Sequence, residues 1–164
     1  MKKAGSNPAH RDKKGMTPLM FHARQSNEIM VRWFSKFKNN RGVVDDNGNN
    51  AILHADGKKS VEIVKFLVDL GEDPAIANHQ GDTLLIRACR INDRRLLKLA
   101  LTVQPNINAA NKAGETALIV ASRYHDDGSV AKELIRSGAD PYIKGPDGKT
   151  ALETAVQFKP GNAV

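Results

Sequence analysis

Apolar and polar positions alternate along the chain in two recurring forms. The first is a short apolar run opening behind a glycine: Met16-Thr17-Pro18-Leu19, Asp82-Thr83-Leu84-Leu85, Glu115-Thr116-Ala117-Leu118 and Lys149-Thr150-Ala151-Leu152, with Asn49-Asn50-Ala51-Ile52 as a weaker copy. A threonine here can accept from the orphan N–H groups of a helix start, and Pro18 suits a first turn, where a missing N–H costs nothing. The second form is amphipathic. Val61, Val64, Phe66, Leu67 and Leu70 are interleaved with Glu62, Lys65 and Asp69, and Leu96, Leu97, Leu99 and Ala100 repeat the spacing, which predicts helices with one buried face. Between the two forms lie polar breaks with candidate N-caps at Asn27, Ser60, Asn92 or Asp93, and Ser129. Gly71 and Gly138 are placed to end the second helix, and a long turn such as 73–80 leads to the next unit.

The pair of helices recurs. Gly15, Gly48, Gly81, Gly114 and Gly148 are separated by 33, 33, 33 and 34 residues, and small residues return at Ala23, Ala55, Ala88, Ala121 and Ala155. Leu70-Gly71-Glu72-Asp73-Pro74 and Ser137-Gly138-Ala139-Asp140-Pro141 close two of the units. One helix pair cannot bury its own apolar face, so stability must come from stacking on neighbours.

This pattern resembles the ankyrin repeat, with its Gly-x-Thr-Pro-Leu-His-x-Ala helix start and Gly-Ala-Asp lead into a hairpin. The resemblance covers about residues 12–157 and implies an all-α solenoid of stacked helix-turn-helix units with projecting hairpin loops and a concave face toward partners. The expected organisation is a basic leader (1–11), repeats at about 12–44, 45–77, 78–110 and 111–144, a partial fifth at 145–157, and a tail (158–164). The family histidine is replaced in every copy, by Met20, Leu53, Ile86, Ile119 and Glu153, so apolar packing is expected to compensate for weaker hydrogen bonding between repeats. Ala55-Asp56-Gly57 predicts a short inner helix in the second repeat, 38–42 an irregular turn in the first, and 125–128 one extra residue in the fourth. Such irregularity fits a natural protein better than a consensus design.

Composition narrows the class. With 40% hydrophobic and 26% charged residues the chain reads as globular, and 5% aromatics argue against a large sheet-built core. Its length of 164 residues suits one domain. Cys89 is the only cysteine, which excludes an intrachain disulfide and a cysteine-cage zinc site. No apolar run approaches the length of a membrane span and none follows Lys2 and Lys3, so neither membrane insertion nor a secretory leader is expected, and the setting is read as intracellular, cytoplasm or nucleus. Of the net charge of +7, residues 1–14 contribute +4, which leaves a mildly basic body and makes nucleic acid the lesser reading.

Candidate chemistry is sparse. The segment 145–150 ends like a phosphate loop, but Ile143 stands where the first glycine is required. The five histidines (His10, His22, His54, His79 and His125) lack metal-ligand spacing, Asp45-Asp46 and Asp126-Asp127 fall in turns, and Cys89 sits where a small apolar filler belongs. No catalytic residue, metal or cofactor is expected.

The resemblance implies contacts from hairpin tips and from the exposed end of each first helix. Projected onto this chain, those positions are Arg24, Lys58, Arg90 with Ile91, and Arg123 with Tyr124, joined by His79 and Lys112 at hairpin tips. One cation per repeat at the same height suggests a basic stripe able to grip an acidic or phosphorylated segment of another protein. Arg32, Lys36, Lys65, Arg94, Arg95, Lys98, Lys132 and Arg136 read as a solvated outer-helix face, and Trp33, Phe34 and Phe37 as part core, part contact patch. The expected function is a non-enzymatic adaptor, scaffold or inhibitor, monomeric when free. Alternatives are a viral or bacterial effector that mimics a host ankyrin inhibitor, a nucleic-acid-associated protein, and a regulatory fragment of a larger enzyme. Asn108 matches the hairpin asparagine that ankyrin proteins sometimes have hydroxylated.

Overall fold

The computed structural model describes residues 10–103, 106–124 and 128–158. The expectations for most of the leader, for the extra residue around His125, and for the tail beyond Phe158 lie outside the described residues. The chain divides into two compact units, Met1–His79 and Gln80–Val164. The first holds α1 (Pro18–Arg24), α2 (Glu28–Phe34), α3 (Ala51–His54) and α4 (Ser60–Asp69), with 3₁₀ turns at Lys38–Asn40 and Gly57–Lys59. The second holds α5 (Leu84–Arg90), α6 (Arg94–Val103), α7 (Ala117–Tyr124), α8 (Ser129–Arg136) and α9 (Ala151–Gln157). In unit 1, α1 packs on α2 and α3; in unit 2, α7 packs on α5 and α9, with α6 against α5 and α8 against α7. Each unit is therefore a stack of helix-turn-helix repeats, as the period requires. Among the described residues the only β pairing is one isolated bridge, Ala110 to Thr116.

The inner helices (α1, α3, α5, α7 and α9) start as the sequence predicts. Thr17, Thr83, Thr116 and Thr150 each accept from the N–H three residues on, and Asn50 does so in the weaker copy. Pro18 is the first residue of α1. The residues standing where the family has histidine divide by chemistry. Leu53, Ile86 and Ile119 are fully buried, and so is Met20, whose Sδ accepts from the Thr17 N–H. Glu153 completes a capping box by accepting from the Thr150 N–H at 2.7 Å.

The second-helix caps need correction. Asn27 caps α2 as expected. Ser60 does not cap α4: it is the fully buried first helical residue, behind a 3₁₀ turn that already orders the chain. Ser129 begins α8 behind a left-handed Gly128, and its hydroxyl accepts from Arg94 instead. Asn92 turns left-handed (φ 56°), so Asp93 takes the cap, accepting from the N–H groups of Arg95 and Leu96 at 3.0 Å. The inner helix of the second repeat has only four residues, because Ala55 turns extended ahead of Asp56-Gly57.

The hairpins are held by side chains of which the sequence reading named only Asp45, as an ordinary turn residue. Three positions before the turn glycine, the Oδ1 atoms of Asp12, Asp45 and Asn111 each accept two N–H groups across the turn. Neighbouring hairpins then bond backbone to backbone: Asp46 N–H to Lys14 O at 3.0 Å, His79 N–H to Asn47 O and Lys112 N–H to Gln80 O, both at 2.8 Å. The seam leaves no room for a Cβ at Gly15, Gly48 and Gly81, and all five repeated glycines have positive φ. Gly81 has φ 79°, and a Cβ there would sit 2.8 Å from the Lys112 nitrogen. In the last hairpin the corresponding donor position is Pro146, which has no N–H.

Candidate functional site

The expected contact residues cluster at the C-terminal ends of inner helices and on hairpins. Arg24 ends α1, Lys58 lies in the 3₁₀ turn behind α3, Arg90 and Ile91 close α5, and Arg123 and Tyr124 close α7. Arg24, Lys58, Arg90, His79 and Lys112 are exposed and Arg123 is half-buried. Ile91 and Tyr124 keep 37% and 55% of their surface in solvent, too much for a packing role alone.

In unit 2 the two arginines are not isolated cations. The hairpin roots place Asp82 and Glu115 eight residues before Arg90 and Arg123, on the same repeat. Arg90 forks onto Asp82 with both terminal nitrogens, one of them at 3.1 Å from Oδ1, and also lies 3.9 Å from Glu115 Oε2. Arg123 pairs with Glu115 Oε1. The carboxylates are almost wholly buried, with side-chain exposures of 9% for Asp82 and 11% for Glu115. The Asn111 side-chain amide donates a hydrogen bond to each, at 2.9 Å to Asp82 and 3.3 Å to Glu115. The Asp82 hydrogen bond, aided by the Asp82 and Glu115 charges, holds Arg90 above the usual arginine value against the desolvation that opposes it. Arg123 also lies over the Phe158 ring, 5.6 Å from its centroid.

Unit 1 fills the same register differently. Buried Met16 stands where Asp82 and Glu115 stand, and Arg24 makes no ion pair among the described residues. In the second repeat Gly57 occupies the arginine position. The hairpin carboxylate of that repeat is met elsewhere, by a hydrogen bond between His54 Nε2 and Asp45 Oδ2 at 2.9 Å. Burial pushes the Asp45 carboxyl up, but hydrogen bonds from Asn49, His54 and Asn47 outweigh it and leave the group below its ordinary value. The predicted line of four equivalent cations thus resolves into two tethered arginines in unit 2 and two differently placed cations in unit 1.

Phe158, assigned to the tail by sequence, belongs to the site's register. It stands ten residues after Gly148, as Tyr124 does after Gly114 and Ile91 after Gly81, and it is 47% exposed. The offset from the turn glycine was the available signal. Elsewhere, His22 stacks on Phe34 at 5.3 Å between centroids, its imidazole held below the usual value by burial, and Trp33 is half-exposed beside Phe34 and Phe37. Burial pushes the Cys89 thiol up to about 12, so it is inert at neutral pH. The segment 145–150 is a hairpin turn closed by Gly145 N–H to Lys149 O at 2.8 Å. Among the described residues no cluster of potential metal ligands occurs, and no helix is long and apolar enough to cross a membrane.

The family model for ankyrin repeats matches in three copies, at residues 1–78, 57–145 and 85–164. The chain belongs to the ankyrin-repeat family. It is 25% identical over 148 residues to the ankyrin repeat protein L371 of Acanthamoeba polyphaga mimivirus, a match that takes in 90% of this chain but only 19% of that protein. Among solved structures it resembles one chain of a complex between the Bd0816 predatory endopeptidase of Bdellovibrio bacteriovorus and immunity protein Bd3460. That likeness has a TM-score of 0.79 and 32% identity, and covers 95% of this chain and 81% of the other.

Proposed function

We propose that this chain is a non-catalytic protein-binding module that acts as an inhibitor or adaptor, monomeric when free and working inside a cell. It engages another protein through the ends of its inner helices and its hairpin tips, with Arg24, Lys58, Ile91, Tyr124, His79 and Lys112 as contact residues and Arg90 and Arg123 as the paired arginines that frame them. One observation carries this reading: Ile91 and Tyr124 are solvent-facing at equivalent ends of α5 and α7, each beside an arginine already held in place. Exposed aromatic and arginine side chains on a rigid frame are the usual anchors of protein interfaces. The likeness to a structure containing an immunity protein and an endopeptidase supports an inhibitory role, with a peptidase as the first partner class to try. An acidic partner segment fits best at exposed Arg24 in unit 1.

The test is affinity capture from source-cell lysate with wild type and with Tyr124→Ser/Lys112→Glu, both checked for folding by circular dichroism. A stoichiometric protein held by wild type and released by the variant is expected, and its enzymatic activity should fall on binding. Capture that nuclease abolishes would replace this reading with nucleic-acid binding, for which exposed Lys98, Lys132 and Arg136 on α6 and α8 would be the surface.

A further inference from the structure

Solvent-facing hydrophobic residues scattered singly over a surface, as Ile135, Tyr142, Leu152 and Val156 are in unit 2, carry no message. Three others of unit 2 share one register. Ile91, Tyr124 and Phe158 occupy one register position, just at or after the last turn of α5, α7 and α9, and α7 packs against both of the other helices. Their exposures are 37%, 55% and 47%. The corresponding positions of unit 1 are Gln25 and Lys58, both polar. With neighbouring helices about 10 Å apart, the three side chains span about 20 Å.

The charges beside this row are already closed. Asp82 and Glu115 match Arg90 and Arg123 one for one, and the carboxylates are the buried partners. An incoming acidic side chain would have to draw an arginine away and leave a buried carboxylate without its counter-charge, a costly exchange. An arginine instead supports the row: Arg123 lies over the Phe158 ring, 5.6 Å from its centroid. Rigid rings so supported lose little freedom on contact, which favours their use as anchors.

We propose that Ile91, Tyr124 and Phe158 form an uncharged docking row that takes apolar and aromatic side chains of a neutral partner segment. The proposal rests on the reading of the chain as a protein-binding module and names the chemistry its partner presents to unit 2.

A peptide-display selection on the immobilised full chain tests it. Random peptides of about a dozen residues suffice, because an extended segment of that length reaches about 40 Å. The enriched peptides are expected to be near zero net charge, with two or more aromatic or branched aliphatic residues. A synthetic copy of the dominant peptide should bind about tenfold more weakly to Tyr124→Ser and less markedly so to Ile91→Ser or Phe158→Ser. Gln25→Ser should leave it unchanged. Its affinity should vary less than about twofold between about 50 and 500 mM NaCl, since no exposed ion pair is formed. All four variants change exposed positions, and an unchanged circular dichroism spectrum and thermal midpoint confirm that each is folded. Selected peptides that need Tyr124 but are acidic and weaken steeply with salt would overturn the neutral docking row while leaving the binding-module reading intact. If no selected peptide depends on the three positions and the captured partner also survives Tyr124→Ser, the row and the proposed unit 2 face fall together.

Discussion

The two units place the same helix pair in the same register and give it different chemistry. At one and nine residues beyond the turn glycine, unit 2 has Asp82 with Arg90 and Glu115 with Arg123, whereas unit 1 has Met16 with Arg24 and Asn49 with Gly57. At ten residues beyond, unit 2 has Ile91, Tyr124 and Phe158, and unit 1 has Gln25 and Lys58. Equivalent position therefore does not mean equivalent role. An arginine with a carboxylate at its own hairpin root is part of the scaffold, and one without is surface charge. This is why charge counted along a repeat overstates what a partner could meet.

Removing a shared carboxylate should separate the units most strongly. Glu115→Ala takes the counter-charge from Arg123, relieves Arg90 of a second partner and leaves the Asn111 amide half-satisfied; we expect a loss of about 2–3 kcal/mol. Two native probes read the units apart during urea unfolding. Trp33, the only tryptophan, lies in unit 1, and Cys89, the only cysteine, lies buried in unit 2. The thiol of Glu115→Ala should become reactive at clearly lower urea, with a smaller shift in Trp33 fluorescence; equal shifts of both would mean that the two units unfold as one.

The comparison sharpens at the arginines themselves. Arg123→Ala should cost about 1–2 kcal/mol, because it leaves buried Glu115 with only Asn111 and the more distant Arg90 and takes the guanidinium from over Phe158. Arg24→Ala should stay within about 0.5 kcal/mol, as an exposed side chain without a carboxylate partner should. Matching losses at the two positions would contradict the assignment of Arg24 to the surface and Arg123 to the scaffold.

A small, pH-dependent effect is expected at a buried carboxyl of unit 1. Glu72 is buried, and that desolvation raises its carboxyl above the ordinary 4.5 even though it accepts from the Gly42 N–H and feels Arg41. A group whose folded value is raised gives its stability below the unfolded value and loses it as pH rises through the folded one. Wild type should thus weaken as pH climbs past 4.5 relative to Glu72→Gln, which keeps the acceptor and carries no charge. At pH 7 the variant should be the more stable by less than about 1 kcal/mol, and thermal melts of both proteins should converge toward pH 4. A variant that melts lower than wild type at pH 7 would show that the charge itself is useful.

Much of this was legible in the chain. The glycine period, the threonine caps and the small residues behind them fix the helix pairs, since each is a local backbone requirement that recurs with its residues. The weak second repeat was legible for the same reason: Ala55-Asp56-Gly57 cannot continue a helix, and α3 stops there. Less was legible where two residues compete for one task. Asn92 and Asp93 are both plausible caps, and the left-handed turn at Asn92 decides for Asp93. The Asp12, Asp45 and Asn111 turns carried a readable signal, a constant offset before each glycine, which composition alone hides among ordinary turn residues.

The sequence by itself determined the repeat, the helices and the family, because periodicity and capping act over a few residues and need no knowledge of neighbours. Only the tertiary structure decided which cations are available. Whether Arg90 and Arg123 face a partner or a buried carboxylate depends on how a hairpin root folds back onto its own helix end and how the next repeat stacks beside it. The same stacking turned Ile91, Tyr124 and Phe158 from three separate residues into a row, since residues more than thirty positions apart become neighbours only when their helices pack side by side.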